Sequence, residues 1–266
     1  QTFFGRAHDG DLSPLCTNSR HWIAGTDAPN TIFAHTTTLL PDGRAILIGG
    51  YRGGTPSNTT WFANISGNTI SWANGTTHAH NTGLIYHETL LLDDGRILTI
   101  GGSNGAVSSS NTTANTYFGS ISGNTISWTQ GTPLPAVRWA GMGAQLRDGR
   151  VIYVGGRDNV NQVKSQTFIG VINANTITWT QSIDLPRSIW LAKSVRLPDG
   201  RVFIAGGHTG GTTITATIPN TYIIEESSLD SNNIVITEGP QLPRRSWRYG
   251  TCYVPNTGIV AVGGEF

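Results

Sequence analysis

Histidine supplies the first chemical signal in this chain. His35 and His87 each stand seven residues before the aspartate of an Asp-Gly-Arg triplet, Asp42 and Asp94. His78 and His80 lie on the connecting stretch beside them, and His208 follows a glycine pair. A His-x-His pair with a third imidazole can form a coordination triangle, so His35, His78, His80 and His87 are candidate ligands for a divalent metal. The competing reading is that imidazoles recur in a repeated unit for packing and hydrogen bonding. Glu88 next to His87 adds a carboxyl, and His35, His87 and Glu88 would form the centre of any acid–base chemistry. Tyr51, Tyr86, Asp158 and Tyr249 are further groups of that kind, but no motif fixes an acid and a base among them. There is no nucleophilic Ser or Cys motif, no phosphate loop and no paired-cysteine metal box.

These residues ride on a repeat. Leu39-Leu40-Pro41-Asp42-Gly43-Arg44 followed by Ala45-Ile46-Leu47-Ile48-Gly49-Gly50 reads as strand, turn, strand, and it returns at Leu91 to Gly102, Leu146 to Gly156 and Leu197 to Gly207. A fifth copy, Val254 to Gly264, keeps the apolar run and glycine pair but has lost Asp-Gly-Arg. The second glycines, Gly50, Gly102, Gly156, Gly207 and Gly264, are 52, 54, 51 and 57 residues apart. After each glycine pair come two more strand-like segments, the second bearing a tryptophan in three copies (Trp72, Trp128, Trp179) and lacking one in the last. Thr2-Phe3-Phe4-Gly5 and Ser19-Arg20-His21-Trp22 match those later segments, so the chain begins in the middle of a repeat.

A period near 50 residues with this glycine signature resembles the kelch-repeat β-propeller, the superfamily of the galactose oxidase central domain. The resemblance implies an all-β, five-bladed β-propeller of four-stranded antiparallel blades over residues 1–266. The ring would close by pairing of the N-terminal c and d strands with the C-terminal a and b strands, removing two open sheet edges. It also implies ligand contacts on the face of the b–c and d–a connections. By match to those positions the candidates are Arg52, Arg138, Arg157, Arg187, Ser188, His208, Arg244, Arg245 and Ser246. Arginines around one rim could hold a carboxylate through paired hydrogen bonds, or could instead tie blades together. Trp139, Trp190 and Trp247 fall at equivalent places, with Phe33 and Ile85 as counterparts, as packing between blades would require. Tyr86-His87-Glu88 is also similar to a copper-ligand segment of galactose oxidase. Yet Tyr249 and Cys252, three apart on one strand, point to opposite faces and would not cross-link. The turn arginines Arg44, Arg96, Arg150 and Arg201 are expected to be solvated or paired with neighbours.

Composition narrows the function. A net charge of +1 with 12% charged residues gives no electrostatic case for nucleic acid, and no apolar run is long enough for membrane insertion. Lysine occurs only at Lys164 and Lys193, while Thr, Asn, Ser and Gly abound. That surface fits an extracellular or particle-surface setting, where Cys16 and Cys252 could form a disulfide or remain separate thiols. Asn58, Asn64, Asn74 and Asn111 would be glycosylation acceptors in a host that glycosylates.

The expected function is an extracellular binding module recognising a glycan or a protein surface, with no resident cofactor beyond a potential divalent metal. The alternatives are a carbohydrate-active lyase or hydrolase with a His/Glu site on the same face, and a structural or tail module of a larger assembly. If the rim arginines hold the ligand, replacing Arg187 or Arg244 with Ala should weaken glycan binding on an array while leaving the melting temperature unchanged; unchanged binding with a lowered melting temperature would make those arginines structural.

Overall fold

The computed structural model describes residues 3–5, 22–105, 111–211, 216–228, 233–255, 257–262 and 264. Strands β1 (Phe3–Gly5) and β2 (Trp22–Ala24) pair with each other. The first complete blade is β3 (Thr36–Leu39), β4 (Ala45–Ile48), β7 (Thr60–Ser66) and β8 (Thr69–Asn74), with a two-residue ribbon of β5 (Tyr51–Arg52) and β6 (Thr55–Pro56) inserted after the glycine pair. The second comprises β9 (Glu88–Leu91), β10 (Ile97–Ile100), β11 (Thr116–Ser122) and β12 (Thr125–Gln130). The third comprises β13 (Met142–Gln145), β14 (Val151–Val154), β15 (Thr167–Asn173) and β16 (Thr176–Gln181). The fourth comprises β17 (Lys193–Arg196), β18 (Val202–Ala205), β19 (Thr221–Glu226) and β20 (Ile234–Glu238). The hairpin β21 (Gly250–Val254) and β22 (Gly258–Val262) ends the series. All neighbours within a blade are antiparallel. No helix among the described residues is long and apolar enough to cross a membrane.

The second strand of each blade explains the apolar runs in the sequence. Ile97–Ile100, Val151–Val154 and Val202–Ala205 are buried at every position, because blades lie against both faces of the sheet and alternation has no solvent side to serve. The fourth strand alternates, as Thr125–Gln130 does, with Ile126 buried and Thr125 and Ser127 exposed. Clusters such as Met142, Ile152, Val154, Val202, Ile204 and Tyr222 fill the space between consecutive blades.

Backbone hydrogen bonds then fasten blade to blade. The second glycine of each pair donates its N–H to a carbonyl of the next blade: Gly50 to Leu84 (2.8 Å), Gly102 to Arg138 (2.8 Å), Gly156 to Ile189 (2.8 Å) and Gly207 to Ser246 (2.9 Å). The first glycine has φ near +60° throughout, and a Cβ on Gly101 would lie 2.5 Å from the Arg138 carbonyl oxygen. Further in, Ala34, Tyr86, Ala140, Leu191 and Arg248 all have positive φ. They are linked in a chain, since each of the last four donates its N–H to the carbonyl of the one before, at 2.9, 2.7, 2.9 and 3.4 Å.

The Asp-Gly-Arg turns make a third set of ties. Arg44 is held by Asp42 and reaches Gly123 O and Asn124 Oδ1 on the second blade at 3.0 and 2.8 Å. Arg96, held by Asp94, does the same to Ala174 O and Asn175 Oδ1 on the third. Arg150 and Arg201 are paired with Asp148 and Asp199 of their own turns. All four are therefore paired turn residues, as their position suggested, and Arg44 and Arg96 also tie neighbouring blades.

The sequence pointed to five blades closed through the chain ends, and the structure differs. Four blades are complete, β1 pairs with β2, β21 pairs with β22, and the two hairpins remain separate two-stranded sheets. Five inner strands nonetheless stand side by side, β3 against β9, β9 against β13, β13 against β17 and β17 against β21. The last hairpin lacks the Asp-Gly-Arg turn of the four complete blades, and β22 has only β21 beside it. Val262 on β22 is 48% exposed.

Gly101→Ala combines a left-handed backbone with a steric clash and should cost about 2–4 kcal/mol. Gly95→Ala, at φ 84° with nothing within 4 Å of a new Cβ, should cost about 1–2 kcal/mol. Urea unfolding midpoints of the two variants check the ordering.

Candidate functional site

The five inner strands enclose one cavity of about 1070 Å³. Its lining begins at the positive-φ residues Ala34, Tyr86, Ala140, Leu191 and Arg248 and continues down the inner strands. Each wall position is thus supplied by a different repeat. On β3 and β9 the wall is polar, with Thr36, Thr37, Thr38, Glu88 and Thr89. Along β13 it has Gly143, Ala144 and Gln145, preceded by Gly141, and on β17 it carries Lys193, Ser194 and Arg196.

Hydroxyls bridge the strands. Thr36 Oγ1 meets Thr89 Oγ1 at 2.7 Å and His87 Nε2 at 2.9 Å, while Ser194 donates to the Gly143 carbonyl at 2.7 Å. Glu88 owes its place to the neighbouring glycine, because a Cβ on Gly143 would lie 3.0 Å from Glu88 Cγ. Tyr153 sits behind that wall and accepts the Gly141 N–H at 3.2 Å. Glu88 keeps some surface open to the cavity, yet burial strips its carboxyl of water and raises its pKa to about 7, against the opposing pull of the Lys193 charge.

The sequence candidates divide between this cavity and other places. His35, His87 and Glu88 are brought together here. Burial lowers the pKa of both histidines, and the Lys193 charge lowers His35 further, so both are neutral near pH 7. His87 Nδ1 and His35 Nδ1 are buried and have no hydrogen-bond partner among the described residues. His78 stands behind them, its ring centre 6.5 Å from that of His87. Its ring lies 5.0 Å from Tyr117 and 4.4 Å from Trp128. Its Nδ1 accepts the His80 N–H at 3.1 Å, leaving Nε2 to donate to Thr99 Oγ1 at 2.9 Å. Desolvation takes its pKa down to about 3. His80 turns toward Thr82. No group of three or more His, Cys, Asp or Glu side chains among the described residues is placed to hold a metal ion.

The rim candidates scatter. Arg138 is buried, donating to Val137 O and Gln166 Oε1 and lying over Phe168, so it binds two blades together. Arg157 stacks 3.7 Å from the centre of the Trp190 ring and reaches Asn161 at 2.6 Å. His208 is buried against Trp247 at 4.7 Å and accepts the Gly210 N–H at 2.9 Å. Trp139, Trp190 and Trp247 touch in sequence at 5.3 and 5.9 Å, and Tyr86 meets Trp139 at 5.5 Å. They form an aromatic arc between blades, as their equivalence predicted. Arg52 is one residue out of step, because Tyr51 occupies the bridge position held elsewhere by Ser103, Arg157 and His208. Arg187, Arg244 and Arg245 are exposed, Ser188 is half-buried, and Ser246 is buried with its carbonyl committed to Gly207. Cys252 is exposed; Cys16, its suggested partner, lies outside the described residues. Tyr249 is buried and donates to Ala205 O, so it and Cys252 face different surroundings.

Sequence reasoning missed Lys193, Thr36, Thr89 and Ser194. Their signal was a run of polar residues in an innermost strand, at positions where the third repeat has Met142-Gly143.

No family model and no curated protein matches this chain. Among solved structures, one titled "Structure of YjhT" superposes with a TM-score of 0.65 at 15% identity, over 81% of this chain and 72% of that one. The shared feature is the fold. The chain has a β-propeller arrangement with four complete blades.

Between the ordinary carboxyl value and about 7, the folded chain keeps a proton on Glu88 that the unfolded chain releases. Its contribution to stability therefore falls as pH rises through that window. The buried histidines act oppositely, losing stability as pH drops below about 6.5. Glu88→Gln should raise stability at pH 8 by about 1–3 kcal/mol and change it little at pH 4, as read from urea midpoints at the two pH values.

Proposed function

We propose that this chain is a binding module whose axial cavity receives a hydroxyl-rich ligand, a glycan, entering past the positive-φ residues. The observation that carries the reading is the cavity itself: about 1070 Å³, with Thr36, Thr37, Thr38, Thr89, Ser194 and Thr251 on its walls. Hydroxyl groups give a sugar both donors and acceptors. A propeller suits such a role because its walls are rigid strands rather than loops. The lysine-poor, amide- and hydroxyl-rich composition favours an extracellular or particle-surface setting.

The ring is completed, in this reading, as a fifth blade by the chain ends. Support comes from Arg248, which continues the chain of positive-φ links, and from Gly264. A Cβ there would meet Trp247 O and Tyr249 Cβ, as one on Gly102 would meet Ile85 O and His87 Cβ. A second reading, a carbohydrate-active enzyme, is favoured by the convergence of His35, His87 and Glu88 in the same cavity. Glu88 is the one carboxylate on that wall among the described residues, which argues against hydrolysis by a pair of carboxylates.

Thr37 is exposed to the cavity on β3, so Thr37→Trp would fill space without disturbing a blade core. Binding to glycans selected on an array should fall at least tenfold (about 1.4 kcal/mol or more) by calorimetry, with an unchanged melting temperature. Unchanged affinity in a folded variant would place the glycan elsewhere.

A further inference from the structure

The charged side chains of the cavity are not evenly distributed. Arg196 is engaged by Asp93 at 2.5 and 3.1 Å, and Arg248 lies 4.2 Å over the Trp247 ring. Lys193 is different. It is exposed, lines the cavity and makes no ion pair or hydrogen bond among the described residues. It stands near enough to Glu88 and His35 for its charge to act on both, yet Glu88 remains neutral over much of the ordinary pH range. Between the two lies the wall of Gly141, Gly143 and Ala144. An ammonium group exposed on a cavity wall, with no carboxylate paired to it among the described residues, is a receptor for an anion carried by the ligand.

We infer that the glycan taken by this cavity is an acidic one, its carboxylate seated on Lys193 against the glycine-lined wall of β13, with Glu88 as the competing anion across from it. The inference rests on the reading of the cavity as a glycan site and adds the ligand's charge. It makes affinity depend on pH. The other titratable groups facing the pair are His35 and His87, both held neutral by burial, and the phenols Tyr86 and Tyr249, with Tyr153 behind the wall. Glu88 is thus the group whose charge changes between pH 6 and 8.5, and its ionisation cancels the field of Lys193 just where the ligand's carboxylate would sit.

The test uses the full chain and two probes, a uronic-acid oligosaccharide and the same oligosaccharide with its carboxyls reduced to alcohols, titrated calorimetrically at pH 6 and 8.5. The acidic probe should bind more tightly than the reduced one, and its affinity should fall about fivefold to tenfold from pH 6 to 8.5, with no pH dependence for the reduced probe. Lys193→Met, which keeps the length of the side chain without its charge, should remove the preference for the acid and leave the reduced probe's affinity unchanged. Glu88→Gln should give at pH 8.5 the affinity that the unaltered chain has at pH 6. Equal binding of both probes, unaffected by Lys193→Met, would overturn the inference while leaving the glycan site standing. Binding of neither probe would overturn both.

Discussion

Everything in this structure depends on a close approach of backbone to backbone between blades. The glycine pair ending the second strand lets an N–H of one blade reach a carbonyl of the next at about 2.8 Å, with no room for a side chain at the first glycine. A propeller blade is only a small twisted sheet, and such a sheet is marginal on its own. The glycine contact sets how near the next blade stands, and that distance decides whether the apolar second strands are buried on both faces. The chain of positive-φ residues then repeats the same device one layer closer to the axis. Because five residues take part in it, the inner layer is more regular than the outer one.

That gradient from inside to outside accounts for much of the molecule. Inner strands are held by neighbours on both sides and by the axial links, while outer strands rely on turns. The arginines of the first two Asp-Gly-Arg turns illustrate the outer arrangement, each folding back on its aspartate and then crossing to the next blade. Hydroxyls add to it: Thr26, Thr76 and Thr132 each accept an N–H from the fourth strand of the following blade, at Ile70, Ile126 and Ile177. The last repeat lacks the turn arginine, and there the outer layer stops.

The repeat, the strand boundaries and the role of the turn arginines were legible in the sequence, because glycine spacing and doubly buried strands leave a strong local mark. The tryptophan arc was legible too, from the equivalence of Trp139, Trp190 and Trp247. The site was less so. The His78 and His80 spacing suits ligation and packing alike on a loop, so the sequence alone could not show that His78 bonds Thr99 and the His80 amide. Arg138 looked like a rim residue because nothing in its neighbours' identities reveals burial. Lys193 drew no attention because a single lysine carries no motif. Its meaning comes from facing Glu88 across an axis that joins residues 105 positions apart.

The axial cavity has one more property, which follows from each wall position belonging to a separate repeat. Residues 37, 89, 143, 194 and 251 occupy corresponding places on its wall, as Thr, Thr, Gly, Ser and Thr. Duplication copied the glycine fastenings of the scaffold, yet these five places have diverged in size and polarity. They behave as letters written on a conserved page: a change at one leaves the backbone hydrogen bonds between blades intact. Such a ring can be respelled one position at a time, so the chemistry of its cavity is free to drift, or to be redesigned, while the fold that displays it stays fixed.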